Sequence, residues 1–534
     1  MAFLQKYPFH LFLLGILLHL LAVLLPSAFV THDGPSHLYN AHIINQILFT
    51  EGSIYEQFHI LNLNFLQPNL LGYVPLCLFQ LFLPFLWAEK ITVALYVLLF
   101  AFGFRYLLKQ HSPNADWYAL LIFPFVLNVV LFWGFFNFLI ALGLSFYLLA
   151  YYERGRASNT GVSWLLLCLL SLIIFYSHAL VFVFCGVYVL IREAHTLFVN
   201  RSPKRAAFFV AIRETSFLIP GAVLFLAYLI RQAGTDSAGN AAFDLGKRLS
   251  GLILNPEVLS FSGYSEGAYV VPLFLLLVVL GGIKLWQDHK NKTSLWSVSF
   301  LLMLFFFLAT LFTPEEAGGG SVIVPRLNLV FFLFFLVWIS RQELNRTVKW
   351  LIGIYLVFSL ALLSVRFQFI QAGAQQCHHV IESSALFLEK NSLIGSIHNK
   401  PVSRFVGDYQ IHTYFDIMTN IDLYAALDQG CLSLHNYEAN MPREISYFPV
   451  SWRHAERIEV VRDPSHTPLI LEYTHPDTLA KYKISPPEVL LCVGQSVDPS
   501  GGKAMWDPQG AYKQVFGDSI AFLRVYSRMG DIGK

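Results

Sequence analysis

The stretch Val30-Thr31-His32-Asp33-Gly34-Pro35-Ser36-His37-Leu38-Tyr39-Asn40-Ala41-His42 follows directly on an apolar run at 9–30. That run has the length at which an apolar helix crosses a bilayer, about 20 residues. One acid and three histidines then fall within eleven residues at the mouth of the helix. The loop that opens there, 31–68, holds Asp33, Glu51 and Glu56 and no Lys or Arg. A chain built of apolar helices has little reason to gather such groups unless something is bound or transformed there. The rest of the chain reads as a scaffold around them.

Of the 534 residues, 56% are apolar and 13% charged. A soluble domain carries about a quarter charged residues, so this chain lacks the polar surface to cover itself. Its apolar residues recur in membrane-spanning runs, and the fold class is a polytopic α-helical membrane protein. A net charge of +2, with no basic stripe outside the loops, gives no sign of a nucleic-acid partner. The six cysteines show no CxxC spacing. Cys77, Cys168 and Cys185 lie in apolar segments as small hydrophobes. In the tail, a Cys431–Cys492 disulfide is an expectation if that region is extracytoplasmic. The first apolar run follows Lys6, exceeds a signal-peptide core and has no small-x-small site before His32. It reads as a retained first helix with its N-terminus inside.

Pro35 is placed to open a short helix with His32 or Asp33 near its N-cap. Asp33 and His37, four apart, then share a face. The apolar stretch 68–87 contains Pro68, Pro75 and Pro84. It reads as one or two half-embedded pieces, a kinked spanning helix being the alternative. Spans are expected near 89–108, 117–136, 138–152, 163–178, 179–192, 208–230, 269–286, 295–312, 325–340 and 347–366. With the first helix the total is about eleven. In this topology the inner loops hold Arg105 and Lys109, Arg154 and Arg156, Arg192 to Arg213, Lys284 to Lys292, and Arg341 to Lys349. The outer turns near 137 and 178 hold no Lys or Arg, as the positive-inside rule requires. The outer loop 231–268 is the exception, with Arg231, Lys247 and Arg248.

Residues 367–534 have no run of spanning length. A helical stretch near 370–390 precedes short apolar runs at 393–397, 458–461, 469–473, 489–493 and 520–526, separated by Pro, Gly, Asn and Asp. This divides the chain into a transmembrane part, 1–366, with a large outer loop 31–88, and a soluble extracytoplasmic α/β or α+β domain, 367–534. The compact loops suit a bacterial inner membrane.

Asp33 reads in two ways: a base or metal ligand at the membrane surface, or an N-cap. His32, His37 and His42 lie beside it. Asp33 and His37 supply two positions for a divalent metal, which a remote third ligand would complete. In Phe132-Trp133-Gly134-Phe135-Phe136-Asn137-Phe138 the aromatics read as an interfacial belt around a tight turn, with Asn137 a candidate ligand contact. His178, between two apolar runs, reads as a structural residue or a substrate contact. Glu315 and Glu316 precede three glycines, and Arg326 opens the next helix. An Arg at the membrane surface either snorkels or meets a lipid phosphate with its planar fork. Cys377-His378-His379 and 434–438 show no ligand spacing.

The assembled pattern resembles the type-C membrane glycosyltransferases, which use polyprenyl-phosphate-linked sugars. In that group an acid follows the first helix, and the matching position is Asp33. The family's proline- and aromatic-rich segment looks like 68–87, its phosphate-facing basic residue like Arg326, and its soluble C-terminal domain like 367–534. The usual adjacent pair of acids is absent, since His32 and Gly34 flank Asp33, and the second outer turn has Asn137 and no Asp. The resemblance implies transfer of a sugar to a glycan, lipid or protein acceptor on the extracytoplasmic face. Asp33 would act as base, helped by His32 or His37, and the lipid phosphate would sit near Arg326, Asn137 and His178. The rival reading is a non-enzymatic membrane component of polysaccharide or envelope assembly. A transporter is a weaker third, because the expected spans hold few ionisable groups at depth.

Overall fold

The computed structural model describes residues 7–64, 66–155, 161–199, 204–232, 245–249, 251–252, 264–291, 296–315, 322–398, 419–436, 438–439, 448–453, 458–461, 470–474, 481–484, 488–493, 512–517 and 523–528. Among them, six helices are long and apolar enough to cross a membrane: Phe85–His111, Phe136–Gly155, Ala179–Val199, Phe208–Arg231, Glu266–Lys290 and Arg346–Ala385. Shorter apolar helices accompany them at Pro8–Leu24, Ala115–Phe125, Gly161–Ser177, Val298–Phe312 and Ile323–Ile339. Leucines such as Leu14, Leu17, Leu165 and Leu169 stand exposed on these helices. Surfaces of that kind are stable against lipid and unfavourable in water. The helices fit an integral membrane protein.

The segment expected to span at 117–136 is broken. A helical turn at Ala115–Tyr118 runs into a 3-10 helix at Ala119–Phe125 and a further turn at Val129–Phe132. Pro124 removes a donor within the 3-10 stretch. Asn128 then caps the next turn, its side-chain oxygen accepting from Leu131 N at 3.1 Å. The freed carbonyls need buried partners, since lipid offers none. Tyr355 donates to Leu121 O at 3.2 Å, Arg366 Nη1 to Pro124 O at 2.7 Å and Tyr96 to Val126 O at 2.8 Å. His19 Nε2 lies 3.1 Å from Phe123 O. These polar side chains inside apolar helices are explained by the irregular backbone they serve.

Arg366 also pairs with Glu266, Nε to Oε1 at 3.1 Å, both fully buried. It sits on Arg346–Ala385, a single helix of 40 residues. At ~1.5 Å per residue that is about 60 Å, twice the hydrocarbon thickness. The helix therefore runs unbroken through position 366, where the sequence suggested a domain boundary.

The stretch 68–83 contains a single helix, Tyr73–Gln80, of 8 residues. At about 12 Å it is too short to span. Val74, Leu78, Leu81, Phe82 and Leu83 are exposed beside it, as expected of a half-embedded piece. Pro84 is the N-cap of Phe85–His111. Lys90 Nζ donates to Leu24 O and Pro26 O, at 3.2 and 2.9 Å. It thereby satisfies carbonyls at the end of the first helix, which have no partner within it.

The strands, in chain order, are β1 (His59–Leu61), β2 (Leu393–His398), β3 (Leu432–Ser433), β4 (Val450–Trp452), β5 (Ile458–Val461), β6 (Ile470–Thr474), β7 (Lys481–Ile484), β8 (Val489–Val493), β9 (Tyr512–Gly517) and β10 (Leu523–Arg528). One mixed sheet has the order β3-β2-β8-β10-β9, with β2 parallel to both β3 and β8. A second, β5-β6-β7, is antiparallel. β1 pairs antiparallel with β4, His59 opposite Trp452, so the first loop and the C-terminal region share backbone hydrogen bonds. The Cys431–Cys492 disulfide is not formed: all six cysteines are free. Cys431 Sγ donates instead to Glu389 O.

Candidate functional site

Helix Gly34–Phe49 begins where the sequence indicates, with Asp33 at its N-cap position. The Asp33 carboxylate makes no capping hydrogen bond. Thr31 does that work, its hydroxyl accepting from Gly34 N at 3.0 Å. The Asp33 side chain is 14% exposed, and its carboxylate lies 3.8 Å from His32 Nε2, whose side chain is 18% exposed.

A second turn holds this one in place. His32 N donates to Phe132 O at 2.9 Å and Asp33 N to Trp133 O at 3.1 Å. Gly134 follows with φ +86°, and a Cβ there would lie 2.7 Å from Gly34 N. Only glycine combines that backbone conformation with that approach. The His32 ring meets Trp133 edge-on at 4.8 Å, and Asn420 Nδ2 donates to His32 O at 2.6 Å.

His37 shares the helix with Asp33, but its ring is engaged elsewhere. Nδ1 lies 2.7 Å from Glu438 Oε1 and 2.9 Å from Tyr73 Oη. Tyr73 donates to Glu438 Oε2 at 2.5 Å, and Asn40 Nδ2 donates to the same oxygen. Asn436 Nδ2 donates to Asn40 Oδ1 at 2.7 Å. Burial opposes the His37 imidazolium, but the Glu438 carboxylate, helped by Asp33 and Glu89, outweighs it and raises the His37 pKa. Burial, then the same carboxylate, pushes the Tyr73 phenol well above 10, so it stays a donor.

Glu89 is a second acid at this turn. It is fully buried and accepts from Tyr424 Oη at 2.7 Å through Oε2. Among the described residues its Oε1 has no hydrogen-bond partner. That atom lies against Gly34, where an added Cβ would come within 2.4 Å of it and 2.2 Å of Thr31 Oγ1.

The turn at 132–138 also carries the cationic side of the site. Arg326 is buried, with its guanidinium over Phe135 at 4.1 Å and Phe138 at 5.6 Å. His178 packs edge-on against Phe138 at 5.2 Å. Burial, and then the Arg326 charge, hold its pKa well below 6.5, so the ring is neutral. Among the described residues its Nδ1 has no hydrogen-bond partner. Asn137 faces the first loop: Nδ2 donates to Asn69 O at 3.0 Å, and Oδ1 packs on Gly72.

The structure thus places Asp33 and His32 together, commits His37 to Glu438, and sets Arg326 and His178 on the far flank of one aromatic turn. His42 packs edge-on against Tyr55 at 5.2 Å. Glu315 lies 3.7 Å from Arg248, and Glu316 with Gly318–320 falls outside the described residues. His378 pairs with Glu382 on the exposed face of the long helix at 3.0 Å. Among the described residues no group of three or more His, Cys, Asp or Glu is arranged to hold a metal, which leaves Asp33 and His37 without the third ligand that the sequence reading required.

Sequence reasoning missed Glu89, Tyr424 and Tyr73, and left Glu438 unassigned. Glu89 carried a signal, an acid at the start of an apolar span, where ionisable groups are rare and purposeful. Glu438 and Tyr424 carried none, because only the fold brings them to the first loop. The chain matches no protein-family model and no curated protein.

Proposed function

We propose that the protein is an inverting glycosyltransferase that moves a sugar from a polyprenyl-phosphate donor to a hydroxyl acceptor. The observation that supports this most is the place of the Asp33 carboxylate: partly exposed, 3.8 Å from His32 Nε2, and on a backbone held by hydrogen bonds to the 132–133 turn at the mouth of the first apolar helix. A base must be positioned before its pKa matters. In the proposed step Asp33 takes the acceptor hydroxyl proton, the acceptor oxygen bonds to the anomeric carbon, and the bond from that carbon to the phosphate oxygen breaks. The polyprenyl phosphate leaves as an anion, so no second acid is needed to protonate it. Arg326 supplies the positive charge that steadies it. His32 orients Asp33, and the buried Glu89 packs behind Gly34. The reaction is placed on the extracytoplasmic face of a bacterial inner membrane, with about eleven crossings and the C-terminal region outside.

A non-enzymatic role in envelope assembly draws on a different observation. The His37–Glu438–Tyr73–Asn40 network is closed, as befits a clamp that holds the C-terminal region to the first loop. The two readings separate in one assay. Membranes carrying the protein or its Asp33→Asn variant are supplied with labelled polyprenyl-phosphate sugars, and transfer of label is followed. The transferase reading expects label to move with the native protein and not with the variant. Equal transfer by both would sink it.

A further inference from the structure

Phe85–His111 runs from Glu89, beside Asp33, to His111, and its 27 residues make it about 40 Å long. At that distant end, where His111 is part of the lining, lies a cavity of about 1150 Å³. It is larger than the ~300–1,000 Å³ common for compact small-molecule sites. Its long walls are apolar: Ile191, Phe198 and Val199 on one helix, Leu301, Leu304 and Phe305 on another. Phe198 is 90% exposed and Phe305 41%, so the walls open sideways to where lipid would be.

One end of the cavity is polar and carries Arg192, Arg341 and Glu153. Arg192 is fixed, with Nε 3.1 Å from Glu153 Oε1 and Nη1 donating to Thr196 Oγ1 at 3.0 Å. Tyr188 donates to the same Glu153 oxygen at 2.8 Å. Glu153 thus balances one arginine, and the exposed Arg341 leaves the end with a net positive charge. Trp296 stands at the rim, 62% exposed, with its carbonyl 2.8 Å from His195 Nε2. An open apolar trough with a basic end and a rim tryptophan has the chemistry of an acyl chain below a phosphate at the interface.

We propose that this cavity binds a phospholipid of net negative charge, its phosphate at Arg341 and Arg192 and an acyl chain along the Ile191–Leu304 walls. The site is separate from the transfer reaction proposed above and does not depend on it. Trp296 reports on it directly. The full-length protein would be placed in phosphatidylcholine nanodiscs doped with a minor fraction of acyl-brominated phosphatidylglycerol or, in parallel, acyl-brominated phosphatidylcholine. The quenching that disappears in Trp296→Phe is the Trp296 signal.

Phosphatidylglycerol should quench that signal at a clearly lower fraction than phosphatidylcholine. Arg341→Gln should weaken the preference about fivefold, as expected for loss of one basic contact at a membrane surface, and Arg341→Lys should restore most of it. Arg346→Gln, at an exposed arginine outside the cavity, should leave it unchanged. Equal quenching by the two lipids would overturn the proposal, as would equal effects of the Arg341 and Arg346 substitutions. Loss of the preference on adding inorganic phosphate would assign the basic end to free phosphate and overturn the lipid assignment.

Discussion

His37, on the helix that opens the first loop, and Glu438, in the C-terminal region, lie 2.7 Å apart with Glu438 shielded from solvent. Tyr73 and Asn40 hydrogen-bond the same carboxylate. Two segments far apart in sequence are thereby joined beside the candidate base, with the His37 ring 6.0 Å from Phe136 of the turn that carries Trp133.

Removing one partner of that pair should be costly, because the other is left buried and unpaired. Glu438→Ala is expected to destabilise the protein by about 3–5 kcal/mol, seen as a marked fall in Tm in detergent. A Tm close to that of the native protein would mean that water reaches the pair.

The same pair predicts a pH dependence of known sign. The His37 pKa is raised in the folded protein above its ordinary 6.5. Its contribution to stability is therefore fully present below pH ~6.5 and is lost as pH rises through the folded value. The Tm difference between the native protein and His37→Gln should be largest at mildly acid pH and shrink as the medium becomes alkaline. A difference that grows with pH would show that the ring is buried neutral.

Gly134→Ala should damage the site without touching any titratable group. The new Cβ would meet Gly34 N at 2.7 Å in a backbone conformation that L residues rarely adopt. The strain is expected to be on the order of 1–3 kcal/mol, and the turn under Asp33 should shift. Loss of transfer with a modest fall in Tm is the expected pair of results. Unaltered transfer would show that the turn does not position the base.

Glu266→Ala should destabilise strongly, since Arg366 is buried against it. The double variant Glu266→Ala with Arg366→Met should recover only part of the loss, because Pro124 O then lacks its donor. Full recovery would mean that the broken segment at 119–132 does not need that hydrogen bond. Chemical denaturation of the purified variants measures both.

The apolar helices were legible in the chain because their signal is local: long uninterrupted runs, with prolines where the runs fail. Pro75 and Pro84 rightly marked 68–87 as non-spanning, and Pro35 marked the helix start at Gly34. The runs at 393–397, 458–461, 469–473, 489–493 and 520–526 coincide with β2, β5, β6, β8 and β10. β7 and β9 were missed, as Lys481–Ile484 alternates polar and apolar residues and Tyr512–Gly517 holds only the pair Val515-Phe516 after Lys513 and Gln514. The continuous span expected at 117–136 also failed. Composition there is apolar throughout, but Pro124 and Asn128 break the helix, and His19, Tyr96, Tyr355 and Arg366 hold the broken backbone.

By itself the sequence determined that the chain is built of apolar helices that fit an integral membrane protein, roughly where those helices lie, and that Asp33 stands beyond the first one. Hydrophobic burial and helix-breaking act over tens of residues at most, and a linear reading captures them. Only the tertiary structure decided what surrounds Asp33. It gave the helix cap to Thr31, drew His37 to Glu438, and put Glu89 behind Gly34. The Thr31 cap is local, but Glu89 and Glu438 arrive from other segments through hydrogen bonds and close packing, and no local pattern encodes which distant group arrives.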